Sequence, residues 1–76
     1  MVEKIKNIVK KINSELITHQ EEWIKNDIIS SFEVINLISE LESQFNITIE
    51  PEDFVPEHFN SLTDVINLVR KYSADD

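Results

Sequence analysis

Apolar residues recur at intervals of three and four positions along the first part of the chain. This spacing places side chains on one face of an α-helix, and the lysines between them fall on the other face. The pattern therefore predicts a first helix over residues 2–16. Its apolar positions are Val2, Ile5, Val9, Ile12 and Leu16.

The clearest helix start in the chain lies at Ser30 and Glu33. A serine that precedes a helix, with glutamate three positions later, has the spacing of a capping box. These residues predict a helix over Ser31–Phe45, which ends at Asn46 because asparagine tolerates the left-handed conformation of a C-cap. The predicted core stripe of this helix is Val34, Leu37, Ile38, Leu41 and Phe45.

The segments on either side of this helix have weaker patterns. Residues 18–29 have no sustained period, which indicates a long loop anchored by Trp23, Ile24 and Ile28. Residues 47–49 alternate like a strand but have no second strand to pair with, so they are predicted to be extended loop. Two prolines bracket residues 52–59, where one or two helical turns are expected.

A last helix is predicted over residues 61–72, with Ser61 and Asp64 at its start. The whole chain, residues 1–76, then forms one domain of the all-α class. We expect a small helical bundle of three main helices plus a short fourth, with a long loop between the first two main helices. The apolar stripe of the last helix is Leu62, Val65, Ile66, Val69 and Tyr72.

Composition narrows the class of protein. The chain has no cysteine, which excludes disulfides, thiolate metal sites and a cysteine nucleophile. Its first residues lack the apolar core of a signal peptide, and no apolar run approaches the roughly 20 residues of a membrane span. These features predict a cytoplasmic monomer with no membrane span.

Acidic residues dominate the chain, whose net charge is −8. No lysine or arginine occurs between Lys25 and Arg70, a distribution that argues against nucleic acid as a partner. A partner with a basic surface is the natural complement, although the same charge also serves solubility. The carboxylates of this stretch are Asp27, Glu33, Glu40, Glu42, Glu50, Glu52, Asp53, Glu57 and Asp64.

Ser31 carries the most distinctive chemistry in the sequence. Because Ser30 takes the capping position, the hydroxyl of Ser31 is expected to be free in the first helical turn. The helix dipole is positive there and the first N–H groups lack partners, so a phosphate ester would be favoured. The position suits a serine that carries a phosphodiester, but a serine near a helix N-terminus is usually an ordinary structural residue.

Two large apolar residues beside Ser31 are predicted to lie off the core stripe. Phe32 and Ile35 point toward the side of the helix that holds polar and acidic residues, so they are expected to be exposed. Exposed apolar groups with a polar rim mark interaction sites, although Phe32 could instead pack against the preceding loop. The candidate partner-binding residues are Phe32, Ile35, Asn36, Ser39 and Glu42.

The sequence offers no catalytic constellation. His19 and His58 lack metal-spaced partners and are interpreted as surface or loop residues. The carboxylates at 50, 52, 53 and 57 lack an ordered ligand loop and are interpreted as a solvated acidic turn. With no glycine-rich phosphate loop and no nucleophile–base arrangement, the chain is predicted not to be an enzyme and to bind no metal.

Residues 27–45 resemble the attachment-site helix of acyl and peptidyl carrier proteins. In that family an Asp-Ser-Leu or similar triplet opens the second main helix, and here the triplet is Ser30-Ser31-Phe32. Ser30 departs from the usual aspartate and Phe32 from the commoner leucine. The further segments that resemble the family at its spacing are residues 47–49, 51–54 and 56–62.

The resemblance implies a stand-alone carrier protein. Its cofactor would be 4′-phosphopantetheine, which a phosphopantetheinyl transferase moves from coenzyme A to Ser31. The arm would hold an acyl or aminoacyl group as a thioester for fatty acid, polyketide or nonribosomal peptide biosynthesis. Its partners would be a loading ligase and downstream synthase or transferase enzymes with basic docking surfaces.

Two alternatives remain open from the sequence. The cargo of the carrier could be an aminoacyl group such as D-alanine, in place of a fatty or polyketide acyl group. Alternatively, the chain could be an acidic helical interaction module that is never modified, with Ser31 an ordinary first-turn residue. Attachment of phosphopantetheine to Ser31 distinguishes the second alternative from the first.

Overall fold

The computed structural model describes residues 2–73 and has four helices, with two 3₁₀ turns between the third and the fourth. No strand occurs in residues 2–73, so the predicted all-α bundle is confirmed. None of the helices in this range has the length and apolar character that crossing a bilayer requires. The elements are α1 (Val2–Ile12), α2 (Glu15–Thr18), α3 (Ser31–Phe45), the 3₁₀ turns Pro51–Asp53 and Pro56–His58, and α4 (Leu62–Tyr72).

The first helix is shorter than the predicted range of residues 2–16. It ends at Ile12, and the single turn of α2 follows after two residues. Asn13 causes the break: its Oδ1 accepts from the Glu15 N–H at 3.0 Å, and its Nδ2 donates to the Ile28 carbonyl at 3.2 Å. Asparagine side chains compete in this way with the helical backbone bonds. The prediction of one continuous helix through Leu16 was therefore wrong.

Both ends of α3 form as the sequence predicts. The Glu33 N–H donates to Ser30 Oγ at 3.1 Å, and the Ser30 N–H donates to Glu33 Oε1 at 2.9 Å, which completes the capping box. At the other end Asn46 has φ 54° and ψ 48°, in the left-handed region, and its N–H donates to the Glu42 carbonyl. The helix therefore begins and ends through local side-chain chemistry.

Residues 19–30 form the long connection before α3, anchored by Trp23. The indole is fully buried and its Nε1–H donates to the His19 carbonyl. Asn60 ties the same loop to the start of α4, because its carbonyl accepts from the Trp23 N–H at 2.8 Å and its Oδ1 from the Ile24 N–H at 2.9 Å. The predicted role of Trp23 as a loop anchor is confirmed.

The segment before α4 contains two separate 3₁₀ turns where one short helix was predicted over residues 52–59. Each turn starts at a proline, whose fixed φ suits the first position of a helical turn. The second proline also limits the first turn, because the residue before proline disfavours helical backbone. Ser61 then caps α4, with its Oγ accepting from the Asp64 N–H at 3.0 Å.

The core lies between α1, α3 and α4, with the loop residues Trp23 and Ile49 packed into it. The predicted stripes are largely correct, but Ile8 and Leu68 are buried in addition. In contrast, Ile12, Val34, Phe45, Ile66 and Tyr72 are only partly buried at the edge of the core.

Candidate functional site

Ser31 is the first residue of α3 and is exposed to solvent. Because the side chains of Ser30 and Glu33 bond to each other's backbone, neither is hydrogen-bonded to the Ser31 hydroxyl. That hydroxyl takes part in none of the hydrogen bonds of residues 2–73, and the N–H groups of Ser31 and Phe32 have no acceptor in that range. A helix start with free donors and an accessible hydroxyl favours an anionic ester at Ser31.

An apolar groove of about 380 Å³ opens beside Ser31. One wall is α3, and the opposite wall is the segment that contains the 3₁₀ turns. Ser30 and Ser31 supply the polar part of its lining. The apolar lining residues are Ile24, Ile29, Val34, Ile35, Ile38, Phe54, Val55, Pro56 and Phe59. We call this cavity the Ser31 groove.

The two apolar residues predicted to be exposed on α3 are exposed. Phe32 has 72% of its surface accessible and Ile35 has 63%, so Phe32 does not pack against the preceding loop. Two further exposed apolar residues line the Ser31 groove, Ile24 at 43% and Phe54 at 47%. The prediction that Ile24 anchors the loop through its side chain was therefore wrong, and sequence reasoning missed Phe54. Both lie in segments without helical periodicity, where spacing does not indicate which side chains point outward.

The predicted partner-binding residues fall on two sides of α3. Phe32, Asn36 and Ser39 line a shallow depression between α3 and the end of α1, together with Lys11. Ile35 lines the Ser31 groove instead. The side chains of α3 around Ser31 thus face two different concave surfaces.

Glu42 has a structural contact that the sequence did not indicate. Its Oε2 accepts from the Ile49 N–H at 2.9 Å, and its carbonyl accepts from the Ile47 N–H at 3.2 Å. Because Ile49 is buried at 2% exposure, this carboxylate satisfies a backbone group that water does not reach. Glu42 therefore holds the extended segment after α3 as well as contributing charge to the surface.

The acidic turn interpreted as solvated contains one buried carboxylate, that of Asp53, at 6% exposure. Lys71 Nζ donates to its two oxygens at 2.8 and 3.1 Å, the Tyr72 hydroxyl donates to Oδ2, and His58 Nε2 lies 3.4 Å from Oδ1. The interpretation was therefore wrong for Asp53, and His58 is half-buried beside it. No cluster of three or more metal-ligating residues occurs among residues 2–73.

These contacts shift the ionisation of all three partners. Hydrogen bonds from Lys71 and Tyr72 hold the pKa of the Asp53 carboxyl below its usual range. The bond to Asp53 raises the pKa of the Lys71 ammonium, and the same carboxylate, with burial, raises that of the Tyr72 hydroxyl. At neutral pH Asp53 is therefore ionised, Lys71 is positively charged, and Tyr72 keeps the hydroxyl proton that it donates to Asp53.

Comparison with known proteins identifies the family. The D-alanyl carrier protein of Streptococcus suis (strain 98HAH33) is 32% identical over 69 residues, which cover 88% of this chain and 87% of that protein. No family model matches the chain, and no solved structure matches it significantly. The chain belongs to the family of stand-alone carrier proteins, which confirms the resemblance found in the sequence.

Proposed function

We propose that this chain carries an acyl or aminoacyl group on a 4′-phosphopantetheine arm esterified to Ser31. The observation that carries the proposal is the accessible Ser31 hydroxyl at the start of α3, free of the capping bonds that engage Ser30. Esterification would join Ser31 Oγ to the phosphorus of the phosphopantetheine half of coenzyme A, with release of the nucleotide half and the hydroxyl proton. The thiol of the arm supplies the thioester chemistry.

The residues around Ser31 suit this role. The Ser30–Glu33 capping box fixes the first turn of α3, so that the Ser31 Oγ faces solvent where an enzyme can reach it. The free N–H groups at residues 31 and 32 stabilise negative charge on a phosphodiester through the helix dipole. No residue of the chain needs to act as acid, base or nucleophile toward the cargo, which is consistent with a non-catalytic carrier.

Exposed apolar residues and surrounding carboxylates suit the partners that a carrier requires. Phe32 and Ile35 offer apolar contact on either side of the modified serine. The acidic surface steers basic docking faces of a phosphopantetheinyl transferase, a loading ligase and downstream enzymes toward Ser31.

The cargo to test first is D-alanine, because the relative is a D-alanyl carrier protein. A fatty or polyketide acyl group is the second candidate, since the Ser31 groove has an apolar lining. Intact mass spectrometry of the protein purified from its native host would identify both the arm and its cargo. A mass equal to the bare chain under all growth conditions would favour the unmodified interaction module.

Loading in vitro tests the attachment site. Incubation with coenzyme A and a broad-specificity phosphopantetheinyl transferase should add one phosphopantetheine to the wild type and none to Ser31→Ala. Ser43→Ala is the matched control, because Ser43 is an exposed serine on the same helix and lies outside the candidate partner-binding residues. Modification that persists in Ser31→Ala would show that another residue, such as Ser30, is the site.

A further inference from the structure

One wall of the Ser31 groove is formed by residues 50–58, and most of its side chains are exposed. Residues 50–58 supply Phe54, Val55 and Pro56 to that wall, and within these nine positions Asp53 is the one buried residue. The flanking residues Ile49 and Phe59 are buried apolar anchors at 2% and 1% exposure. Between those anchors, a carboxylate rather than an apolar side chain attaches the segment to the body of the protein.

The backbone of this segment offers little resistance to opening. Each 3₁₀ turn is closed by only two backbone bonds. In the first turn the Asp53 N–H donates to the Glu50 carbonyl at 2.9 Å and the Phe54 N–H to the Pro51 carbonyl at 3.0 Å. In the second turn the N–H groups of His58 and Phe59 donate to the carbonyls of Val55 and Pro56, both at 3.0 Å. Neither turn has a side-chain cap. Short 3₁₀ turns have poorer hydrogen-bond geometry than α-helices, and segments with few buried contacts open most readily.

Apart from His58, which belongs to the segment itself, the side chains that contact the Asp53 carboxylate within residues 2–73 lie in the last turn of α4. Lys71 and Tyr72 both donate to that carboxylate, and the Tyr72 hydroxyl also accepts from the Glu50 N–H at 3.1 Å. The Asp53 carboxylate and the Glu50 N–H are therefore both bonded to the Tyr72 hydroxyl. The opposite wall is fixed differently, since α3 has its own capping box and the loop that carries Ile24 is bonded to Asn60.

We propose that Asp53, Lys71 and Tyr72 form a latch that keeps residues 50–58 closed against the Ser31 groove, so that release of the latch opens the groove. The proposal concerns the width of the groove and goes beyond the carrier function, because it does not require Ser31 to be modified. Asp53 acts here as a positioning residue: it is not among the residues that line the groove, and it acts by holding Phe54 to Pro56 in place.

Amide hydrogen exchange on the full chain, followed by NMR, tests the latch. Tyr72→Phe removes the hydroxyl that bonds to both Asp53 and Glu50, and Lys71→Met removes the cation with little change in side-chain length. In both variants the protected amides of residues 53, 54, 58 and 59 should exchange faster, by roughly tenfold or more, because charge-assisted bonds have been lost. In the variants the free energy of opening of these amides should lie below that of the α1 and α3 amides, which report on unfolding of the whole fold.

Two controls separate a latch from general destabilisation. Arg70→Met removes a neighbouring exposed cation that forms no ion pair among residues 2–73, and it should leave exchange in the segment unchanged. Lys71→Arg restores a cation and should restore protection. The buried Trp23 reports on the remaining fold, so its emission maximum should match the wild type in every variant.

Unchanged exchange in residues 53–59 of both Tyr72→Phe and Lys71→Met would overturn the proposal. Opening of residues 53–59 with the same free energy as the amides of α1 and α3 would also overturn it, because the segment would then open only when the whole fold unfolds. Equal acceleration in Arg70→Met would overturn it too. Acceleration in the segment at a free energy of opening below that of α1 and α3, reversed in Lys71→Arg, would establish the latch. None of these results depends on whether the protein accepts phosphopantetheine.

Discussion

At the scale of single residues, the adjacent serines Ser30 and Ser31 have different roles at the start of α3. Ser30 exchanges two hydrogen bonds with Glu33 and fixes the helix start, whereas the hydroxyl of Ser31 makes no bond within residues 2–73. An aspartate at position 30, as is common in the family, could accept the same N–H bond. The departure at this position therefore retains the cap and changes the charge beside Ser31.

The first prediction tests whether Ser30, and not Ser31, caps α3. Ser30→Ala should lower the free energy of unfolding by about 0.5–2 kcal/mol, because the Glu33 N–H loses its acceptor. Ser30→Asp should retain the wild-type stability, since its carboxylate accepts the same bond and complements the dipole. Urea titrations measure both effects, with Ser31→Ala as the control that should leave stability nearly unchanged. Equal midpoints for Ser30→Ala and Ser31→Ala would contradict the assignment of Ser30 as the cap.

The second prediction concerns the buried carboxylate of Asp53. Its pKa in the folded protein lies below that of the unfolded chain, which is about 3.9 for aspartate. The group therefore stabilises the fold above about pH 4, and this contribution is lost as pH falls through the folded pKa. Lys71, Tyr72 and His58 face the carboxylate, and the first two stay protonated throughout this range.

Urea titrations between about pH 6 and about pH 2 measure that loss. Asp53→Asn should be less stable than the wild type near neutral pH, and the difference should shrink as the pH falls. Glu52→Gln is the control, because Glu52 is an exposed neighbour. A difference between Asp53→Asn and wild type that stays constant with pH would contradict the role assigned to the ionised carboxylate.

At the scale of elements, the sequence predicted those helices whose ends are set by local chemistry. Ser30 with Glu33, Asn46, and Ser61 all act on backbone groups within a few positions, so their spacing alone was informative. The break after α1 was not predictable in this way, because Asn13 is held by the Ile28 carbonyl, 15 positions away. The buried state of Asp53 likewise depends on Lys71, 18 positions along the chain.

The same distinction explains what the sequence predicted of the candidate site. The position of Ser31 and the exposure of Phe32 and Ile35 follow from the register of a single helix. The Ser31 groove requires three segments of the chain to meet, and the groove lining at Ile24 and Phe54 has no periodic signature. The local pattern thus predicted the accessible hydroxyl of Ser31 but not the cavity beside it.

The third prediction separates the two faces of α3. Phe32→Ala and Ile35→Ala should change the free energy of unfolding by no more than about 0.5 kcal/mol, as exposed positions usually do. Leu41→Ala should cost about 2–5 kcal/mol, because Leu41 is fully buried and its truncation leaves a cavity. Thermal and urea unfolding measure stability, and the rate of phosphopantetheine loading measures recognition.

Loading should fall in Phe32→Ala and Ile35→Ala even though their stability is retained, because exposed apolar anchors concentrate binding energy. Ile24→Ala, at the far side of the Ser31 groove, shows whether the docking surface extends beyond α3. If loading of Phe32→Ala and Ile35→Ala equals that of the wild type, the two residues are not part of the surface that the transferase reads.

At the scale of the whole molecule, charge is distributed unevenly between the helices. Four of the seven basic residues lie in α1, at Lys4, Lys6, Lys10 and Lys11, whereas residues 26–69 have none. Two of these lysines are engaged on α3, where Lys4 Nζ donates to the Gln44 carbonyl at 2.9 Å and Lys11 lies 3.9 Å from Glu40. The basic helix thus offsets part of the acidity of α3, and Lys11 lies in the same depression as Phe32 and Asn36.

The fourth prediction tests whether steering toward Ser31 is local or depends on net charge alone. Asn36→Lys and Asn67→Lys each add one positive charge to the net −8, at exposed positions on α3 and α4. If steering is local, Asn36→Lys should lower kcat/KM for transferase loading at low salt, whereas Asn67→Lys should have a smaller effect. Both differences should fade as ionic strength rises, because the Debye length shrinks to about 8 Å near 0.15 M.

Equal slowing by the two substitutions would instead assign the steering to net charge, and no slowing by either would show that the acidic surface serves solubility. Neither substitution removes an ion pair or a hydrogen bond of residues 2–73, so a change in loading without a change in the melting temperature reports on encounter with the partner.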